Sequence, residues 1–395
     1  MKPNELLKPT FWKVVSVVIV TLGLYSTYLR FARGLGATTN LYDTAPWGLW
    51  IGFDFLGVGL AAAGFTIAAT VHIFNLHKYE PLVRPAILTA FIGYSLVVCL
   101  LVVDLGRPEN FWHPLVMWNI HSVMFEITWC IICYTTVLTL EFAPVVLEKF
   151  NLNAPIKILK KISIPVVIAG VLFSTLHQSS FGSLYLIVPG RLHPLWYSSL
   201  LPVHFFISCI AAGLSMIIFE SYQISRAFNE EKGFKNPGLK MEILSGAAFA
   251  VYIVLIAGFL LKIFDFISNG KLIYLTIAST ETYLFLLEII LGTIVPIALL
   301  SYKKFRIDKK WLYIISICVI SGLILNRLNV SVTGLAASSG VNYFPSFDEV
   351  SITMMLVVLA MFAFRVVVKY LPVFVEEEVN NIALDEKIQL IHKIN

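Results

Sequence analysis

Long apolar runs, separated by short polar connectors, recur along the whole chain. Ten of them, at about 11–29, 48–75, 82–103, 120–147, 160–182, 199–226, 241–266, 281–303, 311–331 and 350–372, approach or exceed the roughly 20 residues a helix needs to cross a bilayer core. Backbone inside hydrocarbon must satisfy its own hydrogen bonds, so runs of this length predict helices. Several connectors are short, which makes consecutive helices antiparallel neighbours. The first run is longer than a signal-peptide core and lacks a small-residue cleavage pattern, so it reads as a retained anchor. After the last run comes a tail, 374–395, with apolar residues at Val379, Ile382, Leu384, Ile388 and Ile391. Their spacing predicts a short surface helix.

Composition places these helices in a membrane. The 395 residues are 58% hydrophobic and only 13% charged, which excludes an ordinary soluble domain. The expected class is therefore all-α and polytopic, with about ten transmembrane helices and no separate soluble domain. A formal charge of +5 does not point to nucleic acid, because the basic residues are scattered among short loops. All five cysteines lie within apolar runs. The Cys130–Cys133 pair reads as helix packing, and nothing forms an iron–sulfur or zinc framework.

Charge also orients the chain. Connectors after even-numbered runs carry Lys78, Arg84, Lys149, Lys157, Lys160, Lys161, Arg226, Lys232, Lys235, Lys240, Lys303, Lys304, Arg306, Lys309 and Lys310. Those after odd-numbered runs carry Arg30, Arg33, Arg107, Arg191 and Lys271. Fifteen against five puts both termini in the cytoplasm by the positive-inside rule. The outer side then receives the longer aromatic connectors: Thr38–Trp50, Asp104–Glu126, Gly182–Ser198 and Ser331–Asp348.

Candidate chemistry concentrates in Asp104–Glu126, DLGRPENFWHPLVMWNIHSVMFE. It holds Asp104 and Arg107 three residues apart, two histidines (His113, His121), the acid Glu126 and the interfacial aromatics Phe111, Trp112 and Trp118. Ionisable groups at membrane depth are costly and are usually partnered or functional. With the orientation above, Asp54, Asp104, His121, Glu126 and His177 fall in one outer layer of four consecutive helices, where they are expected to converge on a single cavity. A second set comprises His204, Lys262, Asp265, Glu281, Glu288, Asn326 and Arg327. Few polar groups sit deep on the inner side, chiefly His72, Glu141 and Glu220. Plainer readings stand beside these. Asp104 and Arg107 can simply pair at a helix end, His177 can bond a backbone carbonyl, Asp54 can be a helix-start group, and His113 and His193 can be loop packing. Lys262 is expected to pair with Asp265 or Glu288.

The stretches PWGLWIGFD (46–54), EPLVRPA (80–86), DLGRP (104–108), HSVMFE (121–126), EFAP (141–144), LHQSSFGSL (176–184), HPLW (193–196) and YFPSFDE (343–349) resemble the NrfD/polysulfide reductase membrane-subunit superfamily. Within it they look most like HybB-type hydrogenase membrane subunits and the DsrP subunits of sulfur metabolism. The resemblance implies two four-helix bundles, 48–182 with a quinone site near its outer face and 199–331, flanked by helices 11–29 and 350–372. It also implies a prokaryotic cytoplasmic membrane. The expected partner is a ferredoxin-like iron–sulfur subunit on the outer face, joined to a further redox subunit: a hydrogenase, a sulfur-metabolism enzyme or a multihaem cytochrome. In the similar membrane subunits of alternative complex III, a histidine stands at the place of Asp104 and an aspartate at that of Glu126.

Quinone reduction adds two electrons and two protons, and quinol oxidation removes them. Such a pocket needs hydrogen bonds to two oxygens and groups that exchange protons, which imidazole does readily and a buried carboxyl can do. The expected proton exchangers are Glu126, His177 and Asp104. The expected binding set is Asp54, Asp104, Arg107, Trp112, Trp118, His121, Glu126 and His177, for menaquinone or ubiquinone. No haem or iron–sulfur cluster is expected in the chain, and the chain is not expected to act alone. One rival is a haem b anchor, for which His121, His177 and His204 are the outer candidates while the inner layer offers only His72. Another is a secondary ion or solute transporter working through the second bundle.

Overall fold

The computed structural model describes residues 11–228, 240–341 and 343–373, and the expected tail helix lies outside them. The apolar runs form ten long helices among these residues: α1 (Phe11–Arg33), α2 (Leu49–Ile73), α3 (Val83–Asp104), α4 (Val123–Lys149), α5 (Asn153–Leu186), α6 (Leu201–Phe228), α7 (Met241–Ser268), α8 (Thr280–Leu300), α9 (Lys309–Ser339) and α10 (Phe347–Tyr370). No strand occurs among the described residues. Nine of the ten are long and apolar enough to cross a bilayer. The tenth, α5, has 34 residues, with its three lysines confined to the first nine and a long apolar stretch after them. Its neighbour makes it a crossing: it lies along α4 from Ser180 against Glu126 to Gly170 beside Val137 and Glu141. The chain is a multi-pass, all-α membrane protein.

Polar residues fix the helix starts. Ser122, Ser279, Asp308 and Ser346 accept backbone N–H groups at the N-termini of α4, α8, α9 and α10, satisfying donors that a helix leaves open. The helices pack in two rings. In the first, α2, α3, α4 and α5 each touch the next, and α5 returns to α2; α6, α7, α8 and α9 do the same in the second. The rings meet where α6 packs on α5 and α2, and α9 on α2. Helices α1 and α10 pair with each other and lie on α3. Small residues set the closest approaches. A Cβ added to Gly322 of α9 would stand 2.2 Å from the Gly292 Cα of α8, and one on Gly213 of α6 would stand 2.4 Å from the Ala63 nitrogen of α2.

Two boundaries move from the sequence expectation. Helix α5 starts at Asn153, and α9 runs on to Ser339 through a π-helical turn at Asn329–Thr333. That turn carries Asn329 into a hydrogen bond with Glu288, so the second ring's polar centre holds the extra helical segment in place. The connectors after even-numbered helices, which carry every connector lysine but Lys271, gather at one end of the rings, called the lysine-rich end below. Those after odd-numbered helices, with DLGRP, HPLW and YFPSFDE, gather at the other.

Candidate functional site

Helix α5 brings LHQSSFGSL into the first ring. His177 is fully buried, and its Nδ1 lies 2.9 Å from the Tyr94 hydroxyl of α3. The Tyr94 ring meets Tyr134 of α4 at 4.6 Å, and Phe181 covers the imidazole at 4.5 Å. Tyr134 Oη, Ser174 Oγ and His177 Nε2 are all buried without a partner in the chain. Buried polar atoms are nearly always hydrogen-bonded, so three such atoms stand out as polar positions within the packed core to which Tyr94, Tyr134 and Phe181 belong. Ser180 lies three residues after His177, on the same side of the helix, and donates to Glu126 Oε1 at 2.6 Å. Glu126, Ser180, His177 and Tyr94 thus form a line from the start of α4 into the ring.

Glu126 itself is exposed on the described surface, contrary to the expectation of a buried acid. The reason is its place in the first turn of α4, where Ser180 covers only one side of its carboxyl group. Arg107, Trp112, Trp118 and His121 are exposed too. None of the three described cavities is lined by their connector. Its two short turns, Pro108–Asn110 and His113–Val116, lie over the outside of α4, where Trp129 Nε1 donates to Pro114 O at 3.1 Å and Trp118 packs on Trp129 at 5.2 Å. Arg107 makes no ion pair with Asp104. The described ion pairs are Arg84–Glu148, Lys262–Glu288 and Lys271–Asp265.

The remaining acids form a second group nearer the connector end. Asp54 is buried on α2 with neither carboxyl oxygen partnered, and its charged neighbour is Asp104 at the end of α3. Asp104 in turn stands near Arg30 of α1 and Glu349 of α10. Glu349, fully buried, accepts the Tyr343 hydroxyl and the backbone N–H groups of Asn40 and Ser346. Burial raises the Tyr343 phenol, so it keeps its proton at neutral pH. Tyr94 and Asp104 are ten residues apart on one helix, about 15 Å along its axis. His177 and Asp104 therefore occupy different depths, and the expected single outer layer is two layers.

Five of the second set of polar residues, His204, Lys262, Asp265, Glu288 and Asn326, line a cavity of about 110 Å³ between α6, α7, α8 and α9, whereas Glu281 and Arg327 lie outside its lining. Lys262 pairs with Glu288 at 3.3 Å, and Asn326, Asn329 and the Trp196 indole also donate to that carboxylate. Asp265 takes Lys271 at 2.7 Å and Ser198 at 2.6 Å. A buried chain joins the rings: Arg327 donates to Cys209 Sγ, Cys209 to Gln178 Oε1, and Gln178 to Val58 O. At the lysine-rich end a cavity of about 180 Å³ is lined by His72, Arg84, Glu141 and Lys160. His193 packs on Trp196 and Tyr274 in its connector, as loop packing predicts, and burial lowers its pKa.

Several members of these groups escape a reading of the sequence. Tyr94 and Tyr134 sit in apolar runs with nothing to single them out. Arg30 reads as a connector charge, and Glu349 and Ser180 only as letters within motifs. The resemblance of YFPSFDE and LHQSSFGSL to a known family was the available signal for the last two.

A family model described as polysulphide reductase, NrfD, matches residues 37–337. The chain is also similar to a protein of Nitratidesulfovibrio vulgaris, 37% identical over 92% of this chain and 94% of the relative. A second relative is the probable Ni/Fe-hydrogenase 2 b-type cytochrome subunit of Escherichia coli, at 32% identity over 87% of each chain. A third is the integral membrane subunit of menaquinone reductase from Nitratidesulfovibrio vulgaris, at 27% over 94% of each.

Proposed function

Because the chain belongs to the polysulphide reductase NrfD family, we propose that it is the quinone-interacting membrane subunit of a multi-subunit respiratory oxidoreductase. The observation that carries this reading is the line Glu126–Ser180–His177–Tyr94, polar at its core and open at Glu126 to the face where a bilayer-dissolved molecule arrives. The description of the menaquinone reductase relative supports the same substrate. Glu126 and His177 bind the quinone oxygens and exchange the two protons. Asp104, with Asp54, is the proton-exchanging station between the pocket and the connector end. The first ring, within 48–182, is the quinone bundle, and 199–331 is the second. The lysine-rich end faces the cytoplasm, and an iron–sulfur subunit docks on the connectors at the opposite face.

A photoreactive quinone analogue on the assembled complex tests this. Labelled peptides should come from α4 and α5 around Glu126 and Ser180, and excess menaquinone should suppress the label. Labelling confined to the second ring would overturn it.

The Escherichia coli relative's description carries a second reading, a haem b. A bis-histidine haem takes two imidazoles across one space. Here His177 engages Tyr94 in the first ring, while His204 lines the cavity of the second, and this donor set fits a haem poorly. A haemochrome spectrum of the purified complex decides between them.

A further inference from the structure

Arg30 is the one buried cation that α1 brings to the first ring. Its side chain is 1% exposed. Nε donates to Val103 O at 2.8 Å and Nη2 to Leu105 O at 2.6 Å, so the guanidinium grips the carbonyls on either side of Asp104. Those carbonyls belong to a helix end, which leaves its last acceptors open and favours a positive charge. Capping alone is a poor reason for burying a guanidinium, which costs several kcal/mol without compensation. The compensation is Asp104 on α3, the acid whose charge bears on Arg30, and around Asp104 in turn stand Asp54 on α2, Glu349 on α10 and the Tyr343 phenol. Helix α1 is held for the task by α10, through Ser26 donating to Asp348 at 2.6 Å and Gly23 seated against Met355.

We propose that Arg30 is a positioning residue for the quinone reaction: it fixes the end of α3 and supplies the positive charge against which the Asp54–Asp104 station exchanges protons. This rests on the assignment of Asp104 made above. It turns α1 from a lipid-facing flank into part of the reacting unit, since the charge comes from outside the four helices that enclose the quinone. The quinone oxygens themselves are met by Glu126 and His177, so Arg30 acts through Asp104 and not on the substrate.

The experiment compares Arg30→Lys and Arg30→Gln in the intact complex with wild type and Asp104→Asn, recording thermal unfolding, kcat, KM for quinone and the pH profile of turnover. Glutamine can still bond a carbonyl but carries no charge, whereas lysine keeps the charge. The expected result is a KM near wild type for both, with kcat reduced about 10-fold or more in Arg30→Gln only. The acid limb of that variant should move up by about one pH unit, because a carboxylate ionises less easily after losing a neighbouring cation. If Arg30 only fastens α1, both variants lower the melting temperature alike and leave the pH profile in place, and the proposal falls. Should Arg30→Gln fail to assemble, a displaced pH profile in Arg30→Lys, where charge is retained, also overturns it. Unchanged turnover in Asp104→Asn would instead remove the assignment of Asp104 on which the proposal rests.

Discussion

Glutamine in place of Glu126 keeps the side chain's size and can still accept from Ser180, but it cannot give or take a proton. Glu126→Gln should therefore assemble with its partners and lose about 10²-fold or more in quinone-linked turnover, the scale of a missing general acid–base group. Electron transfer from the partner to a soluble acceptor should survive, since it bypasses the pocket. Full quinone activity in the assembled variant would refute the role of Glu126. Tyr94 offers a second test. Tyr94→Phe leaves His177 Nδ1 buried without its 2.9 Å partner, a loss of about 1–3 kcal/mol that thermal unfolding of the complex can read. No melting change, with unaltered quinone affinity, would mean the Tyr94 contact is incidental.

The helices make their own demands. Gly292 and Gly322 allow α8 and α9 to touch backbone to backbone, and the contact lies within the π-helical turn Ile290–Ile294. Gly322→Leu should force the helices apart and cost about 1–3 kcal/mol or more, seen as a lower melting temperature. An unchanged melting point would show that the ring relaxes freely. On α4, Glu141 lines the cavity at the lysine-rich end, and both Glu141 and Tyr134 stand 3.8 Å from the position a Gly170 Cβ would take. Both are thus neighbours of Gly170, which lies one helical turn before Ser174 on α5. Glu141→Gln should slow quinone turnover without releasing the partner. Unchanged turnover and unchanged proton uptake in vesicles would leave Glu141 a packed structural acid.

Across the whole molecule, the two ends differ, and the proposed docking of a partner at the connector end follows from that difference. The connector end carries the aromatic Phe111–Trp118 stretch and the Gly182–Ser198 connector, the latter tied to α9 by His193 N donating to Gly334 O at 2.7 Å. Crosslinks from Gly182–Ser198 should reach a cluster-bearing subunit. If every strong crosslink to that subunit came from the lysine-rich end, the orientation or the electron route would be wrong.

The sequence alone determined the helices, because hydrocarbon leaves a backbone no other way to satisfy its hydrogen bonds and twenty apolar residues in a row are plainly visible. It also fixed the sign asymmetry of the ends and, through motifs at 104–108, 121–126 and 176–184, the family. It did not determine which polar side chains meet. Glu126 finds Ser180 across 54 residues, Tyr94 finds His177 across 83, and Arg30 finds the carbonyl beside Asp104 across 73. Asp104 and Arg107, three residues apart in sequence and opposite in charge, do not pair, because the helix ends between them and turns Arg107 outward. Helix packing decided those meetings. A residue's depth follows from counting along its helix, but its facing partner depends on which helices touch and how they are rotated.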